Sequence, residues 1–357
     1  MFRLFVSGVI GLLTAAGGPL LAADFGTAGP FRSVGGVSCQ RPVVEQLGGA
    51  CDPPIVDPSL PAPDGAIMEV ERARILIGLM RVDAAKAALS RAVALDPNNA
   101  DAIEWRARLA MTLGDPVRAR ADIDAALMLR PRSPSLLASR AYLMNDSLQD
   151  ALAVVDQAIA LDPGSPDAFW IRSRIRLRLE DFARSESDLS SAIKLDPSKR
   201  FYQDRAELRL RLGRFSDAMA DTDEVIRISP RDLMALVARS EALAGLGDDR
   251  AALDELTSIL DSLDPTQTGM RRNPVFKQVA LWRAMLLTRL GRGAEVTPTI
   301  DQLLSGGTRA VLQVQVFLRQ NGFTDLAIDG VRSQAVEDAL RGCFANRFCG
   351  LALAKRA

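Results

Sequence analysis

The chain has 357 residues, of which 44 are basic and 44 acidic, and it contains no histidine. Balanced charge gives no global field that would recruit nucleic acid, so nucleic acid is not predicted as a partner. The absence of histidine removes Ser-His-Asp and Cys-His catalytic pairs, imidazole metal sites and the commonest general base at neutral pH. We therefore expect a protein with no catalytic residues, cofactor or metal.

The first 23 residues have the pattern of a secretory signal peptide. Arg3 precedes an apolar stretch at 4–16, a Gly-Gly-Pro break follows at 17–19, and Ala22 and Ala23 form a small-residue end. The pattern predicts cleavage after Ala23. A retained anchor is the open alternative. No later segment is long and apolar enough to span a bilayer, so no integral membrane segment is expected after signal removal.

Residues 24–63 are dense in glycine and proline, which excludes regular structure and predicts a flexible leader. The four cysteines form two close pairs, Cys39 with Cys51 in this leader and Cys343 with Cys349 near the C-terminus. Local disulfides are the simplest pairing and agree with export. Free thiols are the alternative. Neither pair has the CxxC spacing of a redox centre.

A recurring proline dominates the middle of the chain, with spacings of 34, 32, 34, 33 and 35 residues. Most of these prolines follow a small residue twelve positions back and another five positions back. A period near 34 residues is typical of an array of two-helix units that bury their apolar faces on each other. The prolines are Pro97, Pro131, Pro163, Pro197, Pro230 and Pro265.

Glycines are expected in the turn between the two helices of a unit, at Gly114, Gly213, Gly247 and Gly291. Residues 171–179 alternate polar and apolar as a strand would, but the repeat frame predicts a helix there. On that helix Arg174 would lie one turn from Arg178 on a single face.

Laid out unit by unit, the chain resembles the tetratricopeptide repeat family. One unit carries Ala107, Gly114, Ala119, Ala126 and Pro131, and the Leu-Asp-Pro ending recurs at 95–97, 161–163 and 195–197. The resemblance implies an all-α, right-handed solenoid over residues 64–305. Six units are visible, and a seventh near 274–304 lacks the terminal proline.

In this family the first helix of each unit lines a groove that holds a protein or peptide. The resemblance therefore implies a partner-binding groove in which arginines would bind a carboxylate while aromatic rings take an apolar side chain. The alternative is that these arginines are solvated or paired with Glu104 and Glu207. The implied groove residues are Arg74, Arg108, Tyr142, Trp170, Arg174, Arg178, Gln203 and Arg211.

Residues 306–357 depart from the repeat pattern and resemble the small helical peptidoglycan-binding domain. A glutamine-bearing helix, a glycine followed by an aromatic, and an Asp-Gly turn before a further helix carry this resemblance. It implies a small three-helix module that binds peptidoglycan. The module as a plain cap on the array is the alternative. The implied contact residues are Gln315, Phe323, Asp329, Gly330 and Arg332.

Together these features predict an exported, periplasmic adaptor that holds a protein or peptide partner and is tethered to the cell wall. The competing hypothesis is an envelope assembly scaffold whose C-terminal module caps the array and does not contact glycan. An enzyme acting on wall polymers through paired carboxylates is a third hypothesis, and no acidic pair in the sequence favours it.

Overall fold

The computed structural model describes residues 60–262 and 274–346. These ranges contain helices and no β-strand. The sixteen α-helices that they contain are α1 Ala62–Gly78, α2 Val82–Leu95, α3 Ala100–Thr112, α4 Pro116–Leu129, α5 Pro134–Leu143, α6 Leu148–Leu161, α7 Pro166–Arg178, α8 Phe182–Leu195, α9 Lys199–Arg211, α10 Phe215–Ile228, α11 Leu233–Gly245, α12 Asp249–Ser262, α13 Pro274–Arg289, α14 Thr297–Leu304, α15 Thr308–Gln320 and α16 Gln334–Ala345.

The helices pair as the repeat predicts. In each pair from α1 with α2 to α11 with α12, a first helix (helix A) packs against a second (helix B). The small residues of the repeat are buried at these contacts, which lets the helix backbones approach closely. The prediction of an all-α tetratricopeptide fold is confirmed. The buried small residues include Ala85, Ala92, Ala119, Ala126, Ala151, Ala158, Ser185 and Ala192.

The described residues fall into two compact units, 60–196 and 197–346. The first contains α1 to α8, which form four helix pairs. The second contains α9 to α16 and the short 3-10 helix Gly293–Val296 that precedes α14.

The turns inside the repeats require a left-handed backbone. Gly114 has a φ of 71° and Gly213 a φ of 72°, where glycine carries no Cβ penalty. Met80 and Glu180 occupy the corresponding turns of their own helix pairs with φ values of 59° and 60°. These two side chains accept a strained conformation that glycine relieves elsewhere in the array.

The stretch that alternates polar and apolar residues is helical, as predicted. It lies in α7, and Ile171 and Ile175, which are four residues apart, are both buried. The helical period buries isoleucines on one side and leaves arginines to other faces. The repeat frame, which sets where helix A begins, therefore overrides the local strand-like pattern.

The last helix pair of the second unit is irregular. Its helix α14 has 8 residues where α10 and α12 each have 14. After it, α15 and α16 are joined by the non-helical segment 321–333. One hydrophobic core runs from α11 through α16 and includes Leu286, Phe317 and Leu340. The two helices of the C-terminal module therefore share the core of the final repeats.

Several predictions fall outside the described residues. They concern the signal peptide at 1–23, most of the leader at 24–63, and the cysteines Cys39, Cys51 and Cys349. Cys343 is fully buried in α16. Both disulfide pairings stay predictions, and so do the domain boundaries. No helix within 60–262 or 274–346 is long and apolar enough to cross a membrane.

Candidate binding face

A chain of aromatic and arginine side chains follows the first helices of the repeats in the unit 60–196. We call it the aromatic–arginine face and define it as Arg74, Trp105, Arg108, Tyr142, Trp170, Arg174 and Arg178. The helices that carry it are α1, α3, α5 and α7. Among these helices α1 contacts α3, and α5 contacts α7.

Trp105 lies between two arginines. The Arg74 guanidinium carbon is 5.3 Å from the Trp105 ring centroid, and that of Arg108 is 5.6 Å away. Such contacts are cation–π interactions, which hold a guanidinium over a ring face without using its N–H donors. Trp105 was not among the residues predicted from the sequence. Its position in helix A, one turn before Arg108, is the signal that would have found it.

A second aromatic group lies on α5 and α7. The rings of Tyr142 and Trp170 stack with centroids 5.8 Å apart and an interplanar angle of 21°. The guanidinium of Arg174 lies 5.4 Å from the Trp170 ring. Arg178, one turn further along α7, donates to the side-chain oxygen of Asn145 over 2.8 Å. The structure thus brings together four of the predicted groove residues.

The arginines of this face differ in how firmly they are paired. Arg74 donates to Glu71 over 2.7 Å. Arg108 approaches Glu104 only to 3.9 Å, which is an ion contact without a hydrogen bond. Its side chain is 38% exposed. Among the described residues, Arg108 therefore retains donors that can form a bidentate pair with a carboxylate.

The two remaining groove predictions lie in the unit 197–346. Gln203 donates to Asp232 over 3.2 Å, and Lys199 donates to the same carboxylate oxygen over 2.8 Å. The other oxygen of Asp232 accepts from the backbone N–H of Ala235 and caps α11. The Gln203 side chain is thus hydrogen-bonded to the residue that caps α11. Arg211 is exposed at the last residue of α9.

A second set of arginines, which we call the arginine ladder, was not predicted from the sequence. In four repeats the seventh residue of helix A donates to the acid at the seventh residue of helix B, 16 positions later, over 2.6–3.2 Å. The signal was present, because these arginines recur at the period of the prolines. The pairs are Arg106 with Asp122, Arg172 with Asp188, Arg205 with Asp221, and Arg239 with Glu255.

The ladder is structural. Asp188 and Asp221 are each 2% exposed, and the buried acid is enclosed by guanidinium donors from helix A. The hydrogen bond to Glu255 raises the pKa of the Arg239 guanidinium above its usual value. Among the residues that the structure describes, no group of histidine, cysteine or acidic side chains could hold a metal ion.

In the C-terminal module, Gln315 is 1% exposed and its amide is occupied. The side-chain oxygen accepts from the backbone N–H groups of Asp329 and Gly330 over 3.1 and 2.8 Å. The amide nitrogen donates to the Asp329 carboxylate over 2.8 Å and to the carbonyl of Val331. Hydrogen bonds from the Val331 N–H and from Gln315 hold the pKa of Asp329 below its usual value. Gln315 therefore organises the Asp-Gly turn.

Other side chains of the module contact the last repeat. Arg332 pairs with Asp301 in α14 and donates to Glu337 over 2.8 Å. Arg341 donates to the carbonyl of Gly293 over 2.7 Å and to the Thr297 hydroxyl over 3.0 Å. These contacts add to the shared core and dock the module on the end of the array.

Phe323 is partly buried against the core of the second unit. A Cβ added at Gly342 would lie 3.1 Å from the Phe323 ring, so α16 approaches this ring closely. Gly330 is buried and has a φ of 72°, which fits its role in the Asp-Gly turn. The five residues that the resemblance implied for glycan contact are thus engaged in the turn, the core or the docking of the module.

Residues 70–136, 136–200 and 172–232 match the family model described as tetratricopeptide repeat. The structure is similar to that of PilW, described as a widely conserved type IV pilus biogenesis factor, with a TM-score of 0.51 and 18% identity over 58% of this chain and 97% of that chain. A chain of the APC/C hetero-tetramer Cut9–Hcn1 aligns with a TM-score of 0.52 and 13% identity, covering 60% of this chain and 42% of that one.

A thermophilic tetratricopeptide repeat protein from Thermus thermophilus, TTC0263, aligns with 23% identity over 50% of this chain and 99% of its own, at a TM-score of 0.45. No curated protein matches the sequence. At these identities the structural likeness concerns the fold.

Proposed function

We propose that this chain, which carries tetratricopeptide repeats across residues 70–232, is a non-catalytic adaptor that holds a protein or peptide partner on its aromatic–arginine face. Repeat arrays offer extended surfaces built from successive units and are used for binding. The proposed location is the periplasm, and it rests on the signal-like residues 1–23.

The observation that carries this proposal is the grouping of Trp105 with Arg74 and Arg108. An aromatic ring flanked by guanidinium groups offers an apolar surface beside charged donors. The Arg108 guanidinium forms no hydrogen bond among the described residues, so a partner carboxylate would not have to displace one. A peptide that presents a carboxylate next to an apolar side chain fits this chemistry.

Photocrosslinking tests the proposal directly. A benzoylphenylalanine replaces Trp170 on the face, and in a control protein it replaces Met128, which is 84% exposed on helix B of its repeat. We expect one partner to be captured from the Trp170 position and to be absent from the Met128 control. Capture of the same set of proteins from both positions would contradict binding at the face.

A second candidate role concerns the C-terminal module, which the resemblance assigned to peptidoglycan. The docking bonds of Arg332 and Arg341 and the full use of the Gln315 amide favour a cap on the final repeats. Terminal repeats need cover over their core, and the helices of the module share that core. Tethering to the wall stays a prediction.

Sedimentation with purified sacculi separates the two roles. The cap predicts that full-length protein stays in the supernatant. Deletion of residues 308–357 removes Phe317 from the core, so an Arg332→Ala variant is tested alongside as a milder change. Pelleting of the full-length protein that is lost in both variants would contradict the cap and support the tether.

A further inference from the structure

The arginine ladder has a gap in the third repeat. Arg140 is the seventh residue of α5, as Arg106 is of α3 and Arg172 of α7. The seventh residue of α6 is Val154, where the neighbouring repeats have Asp122 and Asp188. Arg140 therefore has no acid in its own helix pair at the ladder position.

The contacts of Arg140 reflect this gap. Its Nε lies 3.6 Å from the Asp124 carboxylate on the preceding helix B, and the side chain is 50% exposed. By contrast, Arg172 binds two acids at once, Asp156 of the preceding helix B and Asp188 of its own, each over 2.7 Å. Arg239 likewise binds Asp223 and Glu255. Arg140 thus has one carboxylate, at 3.6 Å, where Arg172 and Arg239 each bind two.

A cavity of about 250 Å³ opens beside Arg140. Helix α5 has 10 residues where α3 and α7 each have 13, and the segment 144–147 takes the place of the missing turn. Arg120 also lines the cavity and donates one hydrogen bond, to the carbonyl of Leu143 over 2.8 Å. The lining residues are Arg120, Ile123, Asp124, Arg140, Leu143, Met144, Asp146 and Ser147.

We propose that this α4–α5 pocket receives an aspartate or glutamate side chain of a protein partner, which gives Arg140 a second carboxylate. Arg120 and Arg140 both retain N–H donors among the described residues, since a guanidinium carries five. Ile123 and Leu143 offer apolar surface to the methylene stem of the incoming side chain. Asp124 and the exposed Asp146 also line the pocket, so its two arginines leave no positive charge for a second carboxylate.

At about 250 Å³, the pocket has room for one acidic side chain of a partner. The pocket is also separate from the aromatic–arginine face. Arg140 and Tyr142 are two residues apart in α5, which places them about 200° apart around the helix axis. A partner that binds here uses a second surface of the same unit.

The test uses full-length protein with a ¹³C-methyl label on its methionines and two capped pentapeptides that differ only in a central glutamate or glutamine. We expect the glutamate peptide to shift the Met144 methyl resonance saturably, with the glutamine peptide weaker by about tenfold or more. Arg140→Gln is expected to weaken binding of the glutamate peptide by a similar factor.

Val154→Asp provides the variant that separates ligand binding from folding. It restores the acid found in the neighbouring repeats, so we expect it to raise the melting temperature while it weakens the glutamate peptide. Arg108→Gln on the aromatic–arginine face should leave the Met144 response unchanged. The proposal is overturned if both peptides shift Met144 equally, if neither shifts it at millimolar concentration, or if Val154→Asp binds as the wild type does.

Discussion

Asp188 accepts hydrogen bonds from two arginines of α7, and its replacement by asparagine is expected to loosen α7 and α8 strongly. Its carboxylate accepts from Arg172 over 2.7 Å and from Arg176 over 2.6 Å, and its side chain is 3% exposed. Both arginine side chains are 17% exposed. Asparagine keeps the volume and removes the charge, so two largely buried guanidinium groups lose their principal partner.

The structure sets the size of the effect. Removing one partner of a buried ion pair costs about 3–5 kcal/mol because the other charge stays buried. Arg172 keeps its bond to Asp156, which places Asp188→Asn near the lower end, at about 3 kcal/mol. Asp156→Asn is the matched control. Asp156 binds the same arginine over 2.7 Å but is 53% exposed, so its loss is expected to cost about 0–1 kcal/mol.

Native-state hydrogen exchange is the suitable assay, since repeat arrays open locally and a single unfolding midpoint would average over repeats. At 1.36 kcal/mol per tenfold change, Asp188→Asn should speed exchange of the core amides of α7 and α8 by about two orders of magnitude. Asp156→Asn should change it less than about fivefold. Equal effects of the two variants would refute the assignment of the ladder as a buried structural element.

Three further predictions concern turns. Gly114→Ala should lower the free energy of local opening of α3 and α4 by about 1 kcal/mol in native-state hydrogen exchange, because a Cβ at a φ of 71° is strained although it meets no neighbouring atom. Glu180→Gly, at a φ of 60°, should instead raise the stability of its helix pair, because glycine adopts this backbone without strain. A loss of stability would contradict the inference that Glu180 is strained. Asp329 has a pKa below its usual value of about 4. The Asp329 carboxylate therefore stabilises the C-terminal turn fully above its usual pKa, and this stabilisation is lost as the pH falls through the lowered pKa. The side-chain amide resonance of Gln315, which bonds this carboxylate, should shift over that acid range. A Gln315 resonance that stays constant through this acid range would contradict it.

The fold was predictable because the features that define it are local and periodic. Small residues at fixed distances before each proline mark helix contacts, and glycine marks a turn whose backbone few other residues adopt. Met80 and Glu180 show the limit of that argument. Neither methionine nor glutamate is a residue type that favours a left-handed turn. Only the position of these residues in the repeat predicts one.

The aromatic–arginine face was partly predictable. Tyr142, Trp170 and Arg174 follow from the family positions, and the structure brings them together. Trp105 was missed because it does not lie at one of the family positions that line the groove, and it also packs partly buried against the core of the first repeats. Its two arginine neighbours come from α1 and α3, and a contact between different helices depends on packing that no local pattern specifies.

The arginine ladder was missed for a different reason. Charged residues on an amphipathic helix are usually assigned to the solvent face. Asp188 and Asp221 are buried because arginines of the paired helix A bind them, and that pairing depends on how the two helices pack. Gln315 presents the same difficulty. A glutamine before an Asp-Gly turn resembles a ligand-binding residue, whereas its hydrogen bonds hold the turn itself.

The most direct test of the adaptor is the affinity of the partner segment captured at Trp170, measured by isothermal titration calorimetry on the full-length protein. We expect Arg108→Gln and Trp105→Ala each to weaken binding by about tenfold or more. Arg184→Gln should bind as the wild type does, because Arg184 is 74% exposed and its side chain pairs with Asp181 in its own turn. Equal affinity for all four proteins would contradict a partner site on the aromatic–arginine face.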